Sequence, residues 1–575
     1  MNSCSIIRKG FPSCKSVHRS LVRWSSMRSL SSWTKLKISN NNYVRLLTPT
    51  DRDSRLHPNF RTLHWRYLSN TAIEKSVVLG RLQDEFYRIN IENIIQIICN
   101  HVVPSDPNQQ LKLFSQPISY SANINPQYYQ YGLGTVGHLK VEQSQESRFR
   151  YQIRESKTNE LVIDGQITTA NEDLKLQNPH TFYTYPITVR PSDISITKQV
   201  HITQYLCFAM SAIKHAIASK FNDGYMEFMD KTWYSKAIHF KLDYHSPAYV
   251  NENLTVKSWS DASNNRINCQ IMRENDCLST FSISFNPDLK YTPGILPLSL
   301  DVIHKDIFGI IFNGENFLSI RNRFNQPDIS KFTNAAAEAF TTSLIYGVWN
   351  VSKFFSRSKG AMLLITSKFD IDPMFYTMQP DAPTKLKLGL ESMGNKSFMS
   401  AYRIIDYQTK TVINKCENIS VFVKDGKPEA LPEQFKEELL QKVPVKALTE
   451  KPQPLFESIP QNHFTYHTKV RASDLDYNNH VGYGGAVGFC LDAASNAASS
   501  KSSAYRFDFG NDFNPSCIHQ KFLLLRGQLL FDDEITVDTW QGYENNSLYF
   551  NVRKENKAVC QLEFIIDVQS IQKCN

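Results

Sequence analysis

The chain has 575 residues, which is too many for one hydrophobic core and predicts roughly three to five folded units. It contains no apolar run of about 18 residues and no C-x-x-C pair among its eleven cysteines, so we expect no membrane-spanning helix, metal site or disulfide framework. The formal net charge is +9, but residues 1–50 hold nine Lys and Arg and no acid. The other 55 basic residues balance 55 acidic ones, so we expect no nucleic-acid partner. We also expect no cofactor.

The N-terminal segment, residues 1–55, is rich in serine and arginine, and its first 50 residues contain no aspartate or glutamate. This composition is typical of a mitochondrial transit peptide and predicts delivery to the mitochondrial matrix. A disordered basic tail on a cytosolic protein is the alternative. A secretory signal is disfavoured because no compact apolar stretch follows the first charged residues.

A long internal repeat dominates the rest of the chain. The sequence VRPSD at residues 189–193 recurs as VRASD at residues 470–474, which is 281 residues later. LTV at residues 254–256 recurs as ITV at residues 535–537, again at an offset of 281. We call the two copies segments B and B′.

A second repeat precedes each copy of the first. NINP at residues 123–126 matches DIDP at 370–373, and HLKV at 138–141 matches KLKL at 385–388, both at an offset of 247. The chain therefore has the order A, B, A′, B′, which indicates duplication of an ancestral A–B pair. The predicted boundaries are 56–178 for A, 179–292 for B, 293–430 for A′ and 461–572 for B′, with a charged linker at 431–460 that holds a short helix at 433–442.

Segment B′ shows most clearly the pattern that we expect in every segment. A strand at residues 464–470 and a loop at 471–481 lead into a helix at 483–498, whose apolar residues have helical spacing. Stretches rich in β-branched and aromatic residues then predict four strands, at 517–525, 529–540, 547–553 and 558–568. This pattern predicts the α+β class, with one helix lying against an antiparallel sheet.

The loop before this helix carries a motif. Residues 470–481, VRASDLDYNNHV, resemble the D-x-D-x-x-x-H-V signature of hotdog-fold thioesterases, in particular the 4-hydroxybenzoyl-CoA thioesterase group and the plant acyl-ACP thioesterases. The resemblance implies four tandem hotdog domains, each a helix wrapped by an antiparallel sheet. It further implies two double hotdogs, A with B and A′ with B′, with sites at the seams. A homodimer of the whole chain is a further option.

The resemblance also implies which residues take part in catalysis. Asp476 stands at the position of the catalytic carboxylate, and Asn478 and His480 match positions that orient water or that carboxylate. The backbone amide of Tyr483 is at the position expected to stabilise the oxyanion. Thioester hydrolysis needs such a carboxylate and such donors, and a helix N-terminus supplies amides that favour negative charge. The alternatives are that Asp476 caps a helix or turn and that His480 is a packed loop residue.

The chain departs from the plant pattern in two places. Gly482 and Tyr483 stand where the plant enzymes have Asn-Asn, and no acidic residue near residues 510–525 matches their later carboxylate. These departures leave general thioesterase chemistry open.

Segment B lacks the predicted chemistry. At an offset of 281, its residues corresponding to the three site side chains are Ser195, Thr197 and Gln199. Segments A and A′ show no such motif before their helices and resemble the partner half of a double hotdog. The helix region of A′, at residues 333–348, is therefore the expected opposite wall of the site.

Three charged residues near the motif are expected to be structural. Arg471 and Asp474 are predicted to form a hydrogen-bonded pair in the loop. Asp492, on the following helix, is predicted to face solvent or an interface.

The leading functional hypothesis is hydrolysis of acyl thioesters, with acyl-CoA or acyl-ACP as the substrate, in mitochondria. The alternative is a non-catalytic protein, either an acyl-thioester binder or a structural subunit of a mitochondrial assembly. A dehydratase of the same fold is a third interpretation, which the local sequence around His480 disfavours.

Overall fold

A computed structural model of the protein describes most of the chain between residues 73 and 567. The described residues are 73–78, 117–130, 136–145, 148–168, 181–219, 221, 236–289, 303–306, 309–314, 322–324, 326–334, 360–378, 382, 384–406, 408–425, 427–442, 446–448, 452–476, 479–500, 513–542 and 546–567. The predicted leader at residues 1–55 lies outside this range.

The first half of the chain forms one sheet of ten strands, all paired antiparallel, in the order β1-β3-β4-β5-β2-β7-β10-β9-β8-β6. Its strands are β1 Ile73–Val78, β2 Ile118–Ile124, β3 Val136–Gln145, β4 Arg148–Glu155, β5 Leu161–Thr168, β6 Tyr183–Thr188, β7 Ala237–Tyr244, β8 Asn253–Asp261, β9 Arg266–Arg273 and β10 Asp276–Phe285. Strands from segments A and B therefore share a single sheet.

The second half forms a sheet of 13 strands, in which β11-β12-β14-β15-β16-β13-β20-β23-β22-β21-β19 follow one another and two short strands pair outside this path. Its strands are β11 Ile303–Asp306, β12 Gly309–Gly314, β13 Gly360–Ile371, β14 Thr384–Met393, β15 Ser397–Asp406, β16 Val412–Lys424, β17 Lys427–Pro428, β18 Lys446–Ala447, β19 Phe464–Lys469, β20 Ile518–Leu525, β21 Glu534–Gln541, β22 Ser547–Lys554 and β23 Lys557–Ile566. Apart from the parallel pair β14–β18, the pairing is antiparallel.

The helices in the described part of the chain lie beside these sheets. They are α1 Ile202–Ala218, α2 Met374–Thr377, α3 Glu433–Lys442 and α4 Tyr483–Ser499, and residues 329–334 are also helical. None of them is long and apolar enough to cross a bilayer. The helix predicted at residues 433–442 is confirmed, as is the α+β class. Two large antiparallel sheets with helices packed against them agree with hotdog-type domains.

Each sheet is continuous across a seam between its two segments. Strand β2 pairs with β7 in the first half, and β13 pairs with β20 in the second. The same tyrosine bond supports both seams, because the Tyr129 hydroxyl donates to the Ala237 carbonyl at 2.9 Å and the Tyr376 hydroxyl donates to the Ile518 carbonyl at 3.0 Å. Both bonds are buried, so each tyrosine ties its segment to the first residue of the neighbouring strand.

The elements of segments B and B′ begin at matching positions. Helix α1 begins at Ile202 and α4 at Tyr483, while β7 begins at Ala237 and β20 at Ile518, each pair 281 residues apart. The remaining strands of the two segments begin at the same offset. The sequence repeat is therefore a repeat of structure.

Each half has its own hydrophobic core between its sheet and its helices. Strand β14 shows the pattern that produces such a core, because its side chains alternate between buried and half-buried positions. Helix α4 buries alanines at 486, 493, 494, 497 and 498. These small side chains let the helix axis lie close to the sheet, as the sequence suggested.

The segment predicted to be a linker packs against the second sheet. Leu431 and Phe435 are buried in the core of the second half. Strand β18 lies in the same segment and pairs with β14. The described residues 431–442 and 446–448 of this segment therefore contribute to the core and the sheet of the second half.

The two halves meet through a reciprocal pair of buried arginines. Arg190 donates to both carboxylate oxygens of Asp474, at 3.0 and 2.9 Å. Arg471 does the same to Asp193, at 3.0 and 2.8 Å. Each aspartate also accepts the backbone amide of the arginine in its own half, at 2.7 Å for Asp193 and 2.8 Å for Asp474. The predicted pairing of Arg471 with Asp474 in the loop is confirmed, and the contact between the halves is an addition to it.

Asp492 also belongs to this contact. Its carboxylate accepts the backbone amide of Ser192 at 2.8 Å and the hydroxyl of the same serine at 2.9 Å. Only 1% of Asp492 is exposed, so the expectation that it faces solvent is wrong, whereas the expected interface role is confirmed. Burial raises the pKa of Asp492 to about 7, although the nearby Arg190 guanidinium opposes this shift.

Candidate functional site

The predicted motif forms a tight loop directly before α4. The Asp476 amide donates to the His480 carbonyl at 2.7 Å, and the Asn479 amide donates to the Asp476 carbonyl at 3.0 Å. A β-bridge between Leu475 and Val481 closes the base of the loop. The loop therefore brings residue 476 back to the point where the helix begins.

The carboxylate of Asp476 lies against the first turn of α4. Its Oδ1 accepts the His480 amide at 3.3 Å. Its Oδ2 lies 3.8 Å from the point where a Cβ of residue 482 would stand, and Gly482 is the N-cap residue of the helix. Asp476 is half-buried. The side chain thus faces the helix start, where backbone amides and the helix dipole favour a negative charge.

A residue of segment A′ completes this arrangement. The Gly484 amide donates to Asn334 Oδ1 at 2.9 Å, so an asparagine from another segment takes the place of a capping side chain for α4. Asn334 Oδ1 also lies 3.0 Å from the position of the absent Cβ of Gly482. Carboxylate and amide oxygens therefore flank one point at the seam of A′ and B′.

Close approach of the two helical segments depends on glycine at position 484. A Cβ added to Gly484 would stand 2.1 Å from the backbone oxygen of Ser330, a distance that real contacts do not reach. Gly482, one of the two departures from the plant pattern, also faces this segment, since its Cβ would stand 3.0 Å from Asn334 Oδ1. Small residues here let residues 329–334 lie directly beside the helix start.

The structure places three of the four predicted site residues together. Asp476 and His480 are the two ends of the tight loop, and Tyr483 is the first residue of α4. The His480 backbone forms a β-bridge with Leu530, and its side chain is half-buried. Asn478 lies outside the described residues. Of the wall predicted at residues 333–348, residues 333 and 334 are described: Asn334 lies at the start of α4, and the Thr333 hydroxyl contacts Lys521.

The equivalent loop of segment B has the same backbone hydrogen bonds among the described residues, but its side chains differ. The Ser195 amide donates to the Gln199 carbonyl at 2.8 Å, as the Asp476 amide does to the His480 carbonyl. The Ser195 hydroxyl bonds to the Thr197 hydroxyl at 2.7 Å within the loop. Segment B therefore retains the loop conformation without a carboxylate at this position.

The first turn of α1 also differs from that of α4. The N-cap position of α1 is His201, whose ring nitrogen accepts the Thr203 amide at 3.3 Å, whereas the N-cap position of α4 is glycine. Burial lowers the pKa of His201 to about 4, so the imidazole is neutral at physiological pH. The N-cap position therefore carries an imidazole in segment B and no side chain in B′.

A buried lysine contacts Thr333, the residue next to Asn334, and was not predicted as a site residue. Lys521 Nζ contacts the Thr333 hydroxyl and lies 3.6 Å from the centre of the Phe369 ring. Burial lowers the pKa of Lys521 to about 7. In segment B the residue at the same register of β7 is Phe240, which is also buried, so a lysine in place of a core phenylalanine was the available sequence signal.

The arrangement suits acid–base or nucleophilic chemistry at a carbonyl group. A carboxylate that faces a helix start can attack a carbonyl carbon or activate water, and first-turn amides can stabilise the oxyanion that forms. Among the residues with described positions, no group of three or more His, Cys, Asp or Glu is arranged to hold a metal ion.

Solved structures with a similar fold are hotdog-fold thioesterases and related enzymes. A 12:0-ACP thioesterase from Umbellularia californica is 13% identical, with 45% of this chain and 95% of that chain covered and a TM-score of 0.36. An acyl-ACP thioesterase from Bacteroides thetaiotaomicron is 14% identical, with 45% and 96% covered and a TM-score of 0.35. A MaoC-like dehydratase from Phytophthora capsici is 11% identical, with 38% and 97% covered and a TM-score of 0.27.

Similarity at this level carries no argument about activity. No protein-family model matches the chain, and no curated protein matches it.

Proposed function

We propose that the protein hydrolyses acyl thioesters at the seam of segments A′ and B′. The observation that carries this proposal is the position of Asp476, whose carboxylate lies against the start of α4 beside Gly482. We propose an acyl-CoA or acyl-ACP as the substrate. A carboxylate can attack the thioester carbonyl or activate water beside it, and helix amides can stabilise the oxyanion that forms.

The proposed reaction begins at the carbonyl carbon of the thioester. Asp476 attacks this carbon or takes a proton from a water that attacks it, and the oxyanion is stabilised by first-turn amides that include that of Tyr483. The carbon–sulfur bond then breaks, the thiolate takes a proton, and water supplies the second oxygen of the free acid. Asn478 and His480 are proposed to orient the water or the carboxylate.

The domain organisation is part of the proposal. We propose four hotdog domains with the boundaries predicted from the repeats, paired within each half so that β2–β7 and β13–β20 are the internal seams. The tyrosine bonds from Tyr129 and Tyr376 to the neighbouring strands support this pairing. We also propose that residues 1–55 direct the protein to the mitochondrial matrix, which a fluorescent fusion with and without these residues would test.

The test of the activity is thiol release by the full chain from acyl-CoAs and acyl-ACPs of short, medium and long acyl length. Asp476→Asn keeps an oxygen that can accept the His480 amide but removes the charge, so we expect activity to fall by about 10²- to 10⁴-fold. Ser195→Ala at the equivalent position of segment B is the matched control and should retain full activity. Unchanged hydrolysis in Asp476→Asn would remove this residue from the reaction.

A second candidate function is acyl-thioester binding without turnover. The observation that favours it is the loop of segment B, where Ser195 and Thr197 stand at the positions of Asp476 and Asn478 and the described backbone hydrogen bonds are the same. Tight binding of a non-hydrolysable acyl-CoA analogue together with no thiol release from any substrate would support this candidate. Such a result would rule out the hydrolase.

A further inference from the structure

Helix α1 of the first half contacts the site loop of the second half. The Lys214 ammonium donates to Asn479 Oδ1 at 2.9 Å, and both residues are half-buried. Asn479 stands between Asp476 and His480 in the tight loop. Its φ of 58° is left-handed, a conformation that asparagine adopts more readily than most residues but that still needs support from neighbouring contacts.

The next residue of α1 makes a second contact with the same half. His215 Nε2 lies 3.0 Å from Asp532 Oδ1, and the Phe531 ring packs edge-on against the imidazole. Lys214 also lies 5.7 Å from the centre of the Phe531 ring. Two consecutive residues of α1 therefore contact the turn at residues 531–532.

That turn holds the site loop in place. The Val481 amide donates to the Leu529 carbonyl at 2.9 Å, and His480 forms a β-bridge with Leu530. Helix α1 thus reaches the loop by two routes, directly through Asn479 and indirectly through residues 529–532. These contacts join a helix of the first half to the candidate site of the second.

The pseudo-symmetric position makes a different contact. Ser495 stands 281 residues after Lys214, and its hydroxyl donates to the Leu491 carbonyl of its own helix at 2.8 Å. Lys198, which corresponds to Asn479 and has a similar φ of 60°, is exposed. The lysine contact is therefore specific to the loop that contains Asp476.

We propose that Lys214 is a positioning residue for the candidate site, and that the first half holds the loop of the second half in its working conformation. The proposal rests on the hydrolase function for its effect on catalysis, but its structural part stands on the contacts of α1 alone. Lys214 acts through Asn479, which fixes the backbone that links Asp476 to His480.

The structural part is tested by hydrogen exchange of the loop amides in the full chain. Lys214→Met removes the ammonium but keeps an unbranched side chain, and we expect exchange at Asn479 and His480 to rise on the order of tenfold. Lys214→Arg retains the charge and should restore most of the protection. Lys198→Ala is the matched control and should leave exchange in residues 476–482 unchanged. Equal loop exchange in Lys214→Met and the unaltered protein would overturn the proposal.

The catalytic part is tested by steady-state kinetics with an acyl-CoA that the unaltered protein hydrolyses. Lys214→Met should lower kcat on the order of tenfold with little change in KM, because it displaces the loop that carries Asp476 and changes no residue of segments A′ and B′. Asn479→Gly keeps the left-handed backbone and removes the acceptor. The double variant should be no slower than the slower single variant, and additive losses in kcat would contradict action through Asn479.

The outcomes separate this inference from the proposed function. If no acyl thioester is hydrolysed but Lys214→Met still loosens the loop, the hydrolase proposal fails and the positioning role stands. If hydrolysis depends on Asp476 but neither exchange nor kcat responds to Lys214→Met, the hydrolase stands and the positioning role fails.

Discussion

Asn334 accepts a hydrogen bond from the Gly484 amide at 2.9 Å, so a residue of segment A′ caps the helix of segment B′. A cap usually comes from the residue just before the helix, and in segment B it does, through His201. The cap at α4 joins two segments of the sheet at the same point where Asp476 lies. The same residue of A′ therefore contributes both to the contact between the segments and to the surroundings of Asp476.

The first prediction concerns the glycines of α4 that face residues 329–334. Gly484→Ala should destabilise the protein by about 1–3 kcal/mol, because its Cβ would stand 2.1 Å from the Ser330 oxygen. Gly488→Ala is the matched control, since its Cβ would meet Ser330 at an ordinary 3.8 Å and alanine is the better helix former. Urea unfolding of both variants measures the difference. Equal stability would show that the two segments do not approach as described.

The second prediction concerns the contact between the halves. Arg190→Met should lower the free energy of unfolding by about 3–5 kcal/mol, because it leaves the Asp474 carboxylate without its buried partner. Arg273→Met is the control, since its pair with Glu252 is about one-third exposed and should contribute less than about 1 kcal/mol. In a double-mutant cycle with Asp474→Asn, additive losses would contradict a direct interaction.

The third prediction concerns pH and Asp492. The carboxyl has a pKa of about 7 in the folded protein, against roughly 4 when unfolded. Between these values the folded chain holds a proton that the unfolded chain has lost, so this group lowers stability as pH rises, by up to about 1.4 kcal/mol per pH unit. Asp492→Asn should therefore gain stability relative to the unaltered protein between pH 4 and 7. Urea unfolding across this range checks it, and a constant difference would count against the assignment.

The fourth prediction concerns Lys521, whose effect on the pH dependence of stability is opposite in sign to that of Asp492. Its pKa is about 7 in the folded protein, against roughly 10.4 when unfolded. Between these values the unfolded chain binds a proton that the folded chain lacks, so the contribution of this group to stability rises with pH. Lys521→Met removes that contribution, and the stability of the unaltered protein relative to the variant should rise from pH 7 to 10. A flat difference would mean that the amine stays protonated in the fold.

Much of the fold was predictable because the repeats fix the spacing of the elements. The helix predicted at residues 483–498 is Tyr483–Ser499, and the strand predicted at 547–553 is Ser547–Lys554. Strand β21 was predicted too early, at 529 rather than Glu534, because the apolar residues at 529–531 belong to the turn that holds the site loop. Local pattern identifies apolar stretches but not which of them pair in a sheet.

The contacts that complete the candidate site were not predictable in this way. Asn334 caps a helix 150 residues away, and its role depends on the close approach of residues 329–334 to α4. Lys214 reaches the loop only because the two halves pack through their B segments. Asp492 was expected in solvent or at an interface, and only that packing decides between the two. Each of these depends on tertiary contacts over long sequence separations, for which a single sequence carries little signal.

The reciprocal arginine contact affects how the protein responds to dilution. Two separate subunits joined by such a contact would come apart at low concentration, whereas here both sides belong to one polypeptide and each keeps a high local concentration of the other. A low concentration of the protein therefore does not separate α1 from the loop that Lys214 contacts.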